Sequence, residues 1–138
     1  MQPGIQLIHA LSPKQSQQLC ELYSVTWWTR ERTPERVDKM LDHSDVVLGL
    51  VDDQANLVGF ARVLSDFTYK ALVLDVIVAE SHQGKGLGAV LMDAVLKHPL
   101  LTNVAHFELY CLPEMEPFYH KWGFTSELGT LRFMRAGG

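Results

Sequence analysis

An apolar run, ALVLDVIVA at residues 71–79, leads into three closely spaced glycines and limits the folds that this chain can adopt. An almost unbroken apolar run of this length is typical of a β-strand covered on both faces. The glycines Gly84, Gly86 and Gly88 are followed by apolar residues at helical spacing, which predicts a helix that ends before Pro99. The segment therefore predicts one crossover unit, in which a buried strand turns through glycines into a helix.

Two periodicities predict the remaining elements. Alternation of apolar and polar residues indicates strands, and apolar residues three or four apart indicate helices. Strands are expected at residues 5–11, 46–51, 57–64, 71–79, 104–109 and 131–134. Besides the helix after the glycines, helices are expected over residues 115–122 and after the capping residues Ser12 and Thr33. The order β-α-α-β-β-β-α-β-α-β predicts a mixed α/β (α+β) fold, with about four helices flanking a central, mostly antiparallel sheet.

Composition and charge limit the kinds of partner that the chain can bind. The 138 residues are 47% hydrophobic and predict a single domain over residues 1–138. The formal net charge of −4 provides no basic field for nucleic acid or an acidic membrane, and no apolar stretch reaches the ~20 residues of a membrane span. Cys20 and Cys111 lack CxxC spacing and no secretory leader is visible, so a cytoplasmic location is expected. The histidines lack ligand spacing, and no metal is expected.

The glycine turn offers backbone donors to a phosphate, because glycines permit close approach and a helix start carries unpaired N–H groups. A P-loop is excluded, since Ala79 and Gly86 stand where its motif needs Gly and Ser or Thr. The dinucleotide-binding fingerprint is matched by Gly84, Gly86 and Ala89, with Glu108 as the ribose-binding acid. A single crossover unit is too little for that fold, which needs two such halves. A purely structural strand–helix turn is the third interpretation.

Two motifs resemble the GNAT superfamily of N-acetyltransferases. Residues 83–88, QGKGLG, match the signature [Q/R]-x-x-G-x-[G/A] between the family's fourth strand and the following helix. Residues 117–124, PFYHKWGF, are similar to the family's F-Y-x-x-x-G-F helix and turn. The order of elements matches over nearly the whole chain. Residues 59–63, GFARV, with Ser65-Asp66 and the segment of Trp28 and Arg30, are similar to small bacterial stand-alone members.

The resemblance implies acetyl-CoA as the cofactor, with its pyrophosphate on the main chain of the glycine turn. In the family, the pantetheine arm lies where the fourth strand diverges from the fifth, and a backbone N–H near Val78 polarises the thioester carbonyl. The expected cofactor-binding residues are Val76, Ile77, Val78, Gln83, Gly84, Lys85, Gly86, Leu87, Gly88 and Ala89. Many relatives carry an asparagine where this chain has Leu112, so one cofactor hydrogen bond is expected to be absent or supplied otherwise.

Acetylation of an amine requires removal of a proton, because an alkylamine with a pKa near ~10 is protonated at neutral pH. Asp75 is the candidate base, since desolvation within the apolar run would raise its pKa. A solvent-facing carboxylate and an ordered water as base are the alternatives. The resemblance makes Tyr119 the candidate acid for the CoA thiolate, and a core residue between Phe118 and Trp122 is the alternative. Cys111 is expected to be a small buried hydrophobe, because no base accompanies it as a nucleophile.

The resemblance places the acceptor between the first two helices and the third strand. The expected substrate-binding residues are Trp27, Trp28, Arg30, Arg62 and Asp66. Two aromatic rings suit an apolar or cationic acceptor, and Asp66 could pair with an amine. Alternatively, Trp28 packs under the helices and Arg62 forms an ion pair with Asp66.

The expected function is direct transfer of acetyl from acetyl-CoA to a primary amine of a small molecule, in a ternary complex. A non-catalytic acyl-CoA-binding sensor or subunit is one alternative, and acetylation of a protein or peptide amine is the other. A homodimer is the oligomer that the resemblance suggests.

Overall fold

The computed structural model describes residues 3–137, in which five strands form one sheet. The strands are β1 (Gln6–Ile8), β2 (Val46–Val51), β3 (Leu57–Ser65), β4 (Lys70–Val78) and β5 (His106–Glu108). The α-helices are α1 (Pro13–Ser24), α2 (Pro34–Asp42), α3 (Leu87–Leu96) and α4 (Glu116–His120), and 3₁₀ turns cover Glu80–His82, Pro99–Leu101 and Pro113–Met115. The sheet order is β1-β2-β3-β4-β5, antiparallel except that β5 runs parallel to β4. The predicted mixed α/β fold class is confirmed.

Local sequence signals set the starts of the first two helices. Ser12 caps α1, because its Oγ accepts a hydrogen bond from the Gln15 N–H at 3.2 Å and its own N–H donates to Gln15 Oε1 at 2.9 Å. Thr33 caps α2 by accepting from the Arg36 N–H. A proline follows each cap, where its missing N–H removes no helical hydrogen bond. Both predicted helix starts are confirmed.

Helices cover both faces of the sheet. The buried cluster beneath α1 and α2 contains Leu19, Tyr23, Val37, Val51, Leu57, Phe60 and Ile77. On the other face, the buried residues of α3 are Leu87, Leu91, Met92 and Val95. Ala71 and Val73 of β4 belong to the α3 cluster and Ile77 to the opposite one, so the predicted two-sided burial of this strand is confirmed. Within residues 3–137, no helix combines the length and apolar character that crossing a bilayer requires.

Strands β4 and β5 diverge after a short stretch of pairing. Residues 70–72 of β4 pair with His106–Glu108, and β5 ends there. Over residues 73–78, no strand of the described chain lies beside β4 on this side. An exposed strand edge of this kind can pair with an extended ligand.

A bulge interrupts β4 within this stretch. Asp75 and Val76 together lie opposite Ala61 of β3, between regular pairs on either side. Asp75 has a left-handed backbone, with φ of +55°, a conformation that aspartate adopts more readily than most residues. Because a bulge bends the strand and redirects its side chains, it accounts for the direction of the Asp75 carboxylate toward α1.

The prediction of a final strand at residues 131–134 is wrong. In the described chain this segment pairs with no strand, and Leu131 and Met134 are 75% and 87% exposed. Its apolar character suits a strand, but a strand forms only where a neighbouring edge supplies hydrogen-bond partners. Because β5 ends at Glu108, the segment meets the chain beyond it through a ring contact between Phe133 and Tyr110, with centroids 4.8 Å apart.

Candidate active site

The turn between β4 and α3 is open and rich in backbone donors. Gly84 and Gly86 both have φ of +78°, a left-handed conformation that favours glycine, and a Cβ at either would meet nothing within 4 Å. Gly86 is the N-cap residue of α3, and no side chain within the described residues caps this helix start. The first N–H groups of a helix lack intrahelical partners and carry a partial positive charge. The turn therefore has the geometry and the electrostatics of an anion site.

Two further residues of the QGKGLG motif hold the turn in place. Gln83 Nε2 donates to the Val78 carbonyl at 3.1 Å and ties the turn to the end of β4. Gly88 allows α4 to approach α3, because a Cβ there would lie 3.3 Å from the Phe118 ring. Trp122 Nε1 adds a hydrogen bond to Asp93 Oδ1 at 2.8 Å. The two motifs that carried the resemblance are therefore in contact.

A groove of about 290 Å³ lies between the α1–α2 loop and the end of β4. One wall consists of residues 25–28, and the other of residues 76–78 with Gln83. The Trp27 and Trp28 side chains are 63% and 50% exposed, so the alternative that Trp28 packs under the helices is wrong. The structure thus brings both tryptophans to the stretch of β4 predicted to bind the cofactor.

Asp75 is the centre of a buried polar network. Its Oδ2 accepts hydrogen bonds from Arg32 Nη1 at 2.6 Å, Arg62 Nε at 2.8 Å and the Tyr23 hydroxyl at 2.9 Å. Arg32 Nη2 also donates to Oδ1 at 3.3 Å, and only 4% of the Asp75 side chain is exposed. The carboxylate therefore joins α1, the α1–α2 loop, β3 and the bulge of β4.

The expected rise in the Asp75 pKa is wrong. Burial does raise the pKa, but the hydrogen bonds and charges of Arg32 and Arg62 outweigh it and hold the pKa below its ordinary value. Burial and the neighbouring Asp75 carboxylate raise the pKa of Tyr23, which therefore stays a hydrogen-bond donor. A carboxylate that remains ionised among two guanidinium groups is a weak proton acceptor. The solvent-facing alternative also fails, because the group is buried.

Sequence reasoning missed Arg32 and Tyr23. A buried acid is rarely stable without counter-charges, so the position of Asp75 in an apolar run was the available signal. That signal predicts a basic partner but does not identify which residue it is. The partners lie 43 and 52 residues away along the chain, and only the tertiary fold selects them.

Asp66 lies away from the acceptor site predicted for it. Its Oδ1 accepts from the N–H groups of Thr68, Tyr69 and Lys70 at 2.7–3.0 Å and stabilises the β3–β4 turn. These hydrogen bonds hold the pKa of Asp66 below its usual range. The turn is at the opposite end of β4 from the groove. The alternative ion pair between Asp66 and Arg62 is also wrong, because Arg62 binds Asp75.

The other predicted acceptor residues differ in position. Arg30 is exposed on the same loop as the tryptophans but is not part of the groove lining. The Arg62 side chain is 12% exposed and forms an ion pair with Asp75. Among the described residues, no cluster of metal-ligating side chains is present.

Tyr119 lies in α4, next to the phenylalanine that packs on the start of α3. Its ring contacts Phe118 at 5.0 Å and Phe124 at 6.1 Å between centroids. Burial first, and the neighbouring Cys111 second, raise the pKa of the Tyr119 phenol. Cys111 is exposed, so its predicted burial is wrong, because it follows the end of β5 and lies beyond the sheet.

Residues 11–137 match the acetyltransferase (GNAT) domain family, and the chain belongs to this family. A crystal structure of a GNAT-family protein from Xanthomonas campestris pv. campestris shares the fold with a TM-score of 0.85 and 29% identity, over 99% of this chain and 96% of that one. The matched range includes the glycine turn, the end of β4 and the α4 tyrosine.

Two curated relatives carry N-acetyltransferase names. The uncharacterised N-acetyltransferase ycf52 of Porphyra purpurea is 34% identical over 114 residues, which cover 80% of this chain and 63% of that protein. Serotonin N-acetyltransferase 2, chloroplastic, of Oryza sativa subsp. japonica is 34% identical over 108 residues, which cover 75% of this chain and 53% of that protein. The chain thus spans less than two thirds of the length of either relative. A bacterial origin and a cytoplasmic location stay predictions.

Proposed function

We propose that this chain is an acetyl-CoA-dependent N-acetyltransferase that moves acetyl directly to a primary amine of a small molecule, in a ternary complex. The observation that carries the proposal is the uncapped start of α3 behind two left-handed glycines, next to the unpaired edge of β4. This arrangement offers donors to a diphosphate and an edge to an extended, amide-bearing arm. Membership of the GNAT family supports acetyl-CoA as the donor.

The chain's own groups would bind the donor along two segments. The main chain of residues 83–89 would hold the diphosphate, with room for its oxygens at Gly84 and Gly86. Residues 76–78 of β4 would pair with the pantetheine arm. A backbone N–H near Val78 would donate to the thioester carbonyl and stabilise negative charge that develops on its oxygen. When bound, acetyl-CoA supplies the activated acetyl group.

Tyr119 would protonate the leaving thiolate. The phenol is protonated at neutral pH and so has a proton to donate, although burial raises its pKa and makes it a weaker acid than a free tyrosine. The contact between Phe118 and the start of α3 keeps α4 beside the glycine turn. The proposal requires that the Tyr119 phenol reach the thioester end of the bound donor.

Asp75 is a positioning residue in this proposal and not the base. Its lowered pKa and its bonds to two arginines suit an anchor that fixes the α1–α2 loop against β4. The proton of the ammonium acceptor would leave through water in the open groove, whose lining among residues 3–137 includes no carboxylate.

Release of free CoA thiol tests the proposed activity. The purified chain with acetyl-CoA is expected to release thiol only when a primary amine is added, because the amine is the acetyl acceptor. The measurement is a thiol-release assay over a panel of polyamines, arylalkylamines, aminoglycosides, amino acids and short peptides. Heat stabilisation by acetyl-CoA without release by any amine would indicate a binding module, and release with peptides alone would indicate a protein-directed enzyme.

A further inference from the structure

We infer that the acceptor is an arylalkylamine, a primary amine on a short alkyl chain that carries one flat aromatic ring. The inference rests on the proposed function and concerns the groove between residues 25–28 and the end of β4. In it, the ring binds against Trp27 and Trp28, and the amine points toward the thioester end of a donor bound along residues 76–78.

The tryptophan pair exposes aromatic surface that the fold does not use. Trp27 and Trp28 are 63% and 50% exposed, and the adjacent Val25 is 81% exposed. The two indoles meet edge to face, with ring centroids 5.6 Å apart. This arrangement favours addition of a third ring, because aromatic rings associate edge to face or offset. Neighbouring exposed apolar residues beside a groove are candidates for contact with a ligand.

The loop that carries the tryptophans is fixed from both sides. Thr26 Oγ1 donates to the Leu22 carbonyl at 3.0 Å, and the buried Thr29 Oγ1 donates to the Tyr23 carbonyl at 2.9 Å. Arg32 anchors the far end of the loop to Asp75. The exposed rings are therefore held in place before a ligand arrives, which lowers the entropy lost on binding.

The residues of the described chain that line the groove carry no charge. Residues 25–28 and 76–78 are apolar apart from Thr26, and Gln83 is the other polar lining residue. The side chains of Thr26 and Gln83 both donate hydrogen bonds to main-chain carbonyls. The nearby Asp75 carboxylate is occupied by Arg32 and Arg62. A polyamine or an aminoglycoside would find no carboxylate for its additional ammonium groups, whereas a monoamine needs none.

The donor and the acceptor share the groove in this proposal. Its whole volume is about 290 Å³, just below the range of about 300–1,000 Å³ for small-molecule sites, and the wall of residues 76–78 would carry the pantetheine arm. The space left beside residues 25–28 is therefore smaller than that volume, which favours a single ring on a short alkyl chain over a multi-ring aminoglycoside.

A comparison of the kinetic constants for three amines tests the inference. With saturating acetyl-CoA, 2-phenylethylamine is expected to give a kcat/KM at least about tenfold above those of n-butylamine and spermidine, because burial of the ring adds apolar contact. Trp28→Ala is expected to raise KM for 2-phenylethylamine about tenfold with kcat changed less than about threefold, and to leave n-butylamine nearly unaffected. Trp28→Phe should retain most of the preference. Tyr69→Ala, at an exposed aromatic residue in the β3–β4 turn, is the matched control and should change neither constant.

A binding measurement distinguishes failure of this inference from failure of the proposed function. Calorimetry of 2-phenylethylamine with the CoA-loaded chain is expected to show association that Trp28→Ala weakens about tenfold. If that association occurs without turnover by any amine, the proposed activity fails and the assignment of the groove stands. A preference for spermidine, equal effects of Trp28→Ala on aromatic and aliphatic amines, or no association with the loaded chain would each overturn the inference.

Discussion

Asp75→Asn is expected to lower the free energy of unfolding by about 3 kcal/mol at pH 7, because it leaves two partly buried guanidinium groups without a counter-charge. Asparagine has nearly the same shape and tolerates the left-handed backbone at this position, so the loss reports on charge and not on packing or strain. Urea unfolding at pH 7 measures the difference. Glu108→Gln is the matched control, since its pair with Lys70 is about half exposed and contributes less than about 1 kcal/mol.

The pH dependence of this difference in the free energy of unfolding is a second test of the Asp75 network. The folded-state pKa of Asp75 lies below its unfolded value, so the stabilisation is fully present above an unfolded pKa of about 3.9 and is lost as pH falls through the folded value. The difference in free energy of unfolding between the original chain and Asp75→Asn should therefore have its full size at pH 7 and become smaller at acid pH. A variant as stable as the original chain at pH 7 would show that the buried network does not anchor the loop.

Tyr119→Phe is expected to lower kcat about 100-fold while acetyl-CoA binding changes less than about twofold, because the variant keeps the ring and loses only the proton donor. The ring contacts with Phe118 and Phe124 are retained, so α4 should keep its place on α3. Steady-state thiol release and calorimetry with acetyl-CoA measure the two quantities separately.

The control for this substitution is Tyr69→Phe, which removes an equivalent hydroxyl from an exposed turn. It should leave kcat unchanged. Equal turnover by the original chain and Tyr119→Phe would remove this phenol from the mechanism, and a matching loss of acetyl-CoA binding would assign it to the donor site instead.

The parts of the fold that the sequence predicts are those set by neighbouring residues. Ser12 and Thr33 cap helices through bonds to residues three positions on, and the glycine turn depends on the φ angles of Gly84 and Gly86. The two-sided burial of β4 follows from its composition. Such features need no knowledge of distant contacts, and each is confirmed.

The parts that the sequence does not predict depend on tertiary partners. The pKa of Asp75 is lowered, whereas the sequence predicts a rise, because arginines from the α1–α2 loop and β3 bind the carboxylate. The bulge that directs the carboxylate toward them is not visible in the periodicity of the sequence. The segment at residues 131–134 has strand composition but pairs with no strand in the described chain. The exposure of Trp28 likewise depends on how the loop is anchored, so composition left both of its environments open.

Calorimetric titration of acetyl-CoA into the original chain, Gly86→Ala and Gly129→Ala tests the claim that the start of α3 binds the donor's diphosphate. Both glycines are left-handed with open space at a Cβ, so the two variants share the same backbone strain. The original chain and Gly129→Ala are expected to bind alike, and Gly86→Ala is expected to bind at least about tenfold more weakly. No association with the original chain, or equal affinity for all three proteins, would contradict this claim.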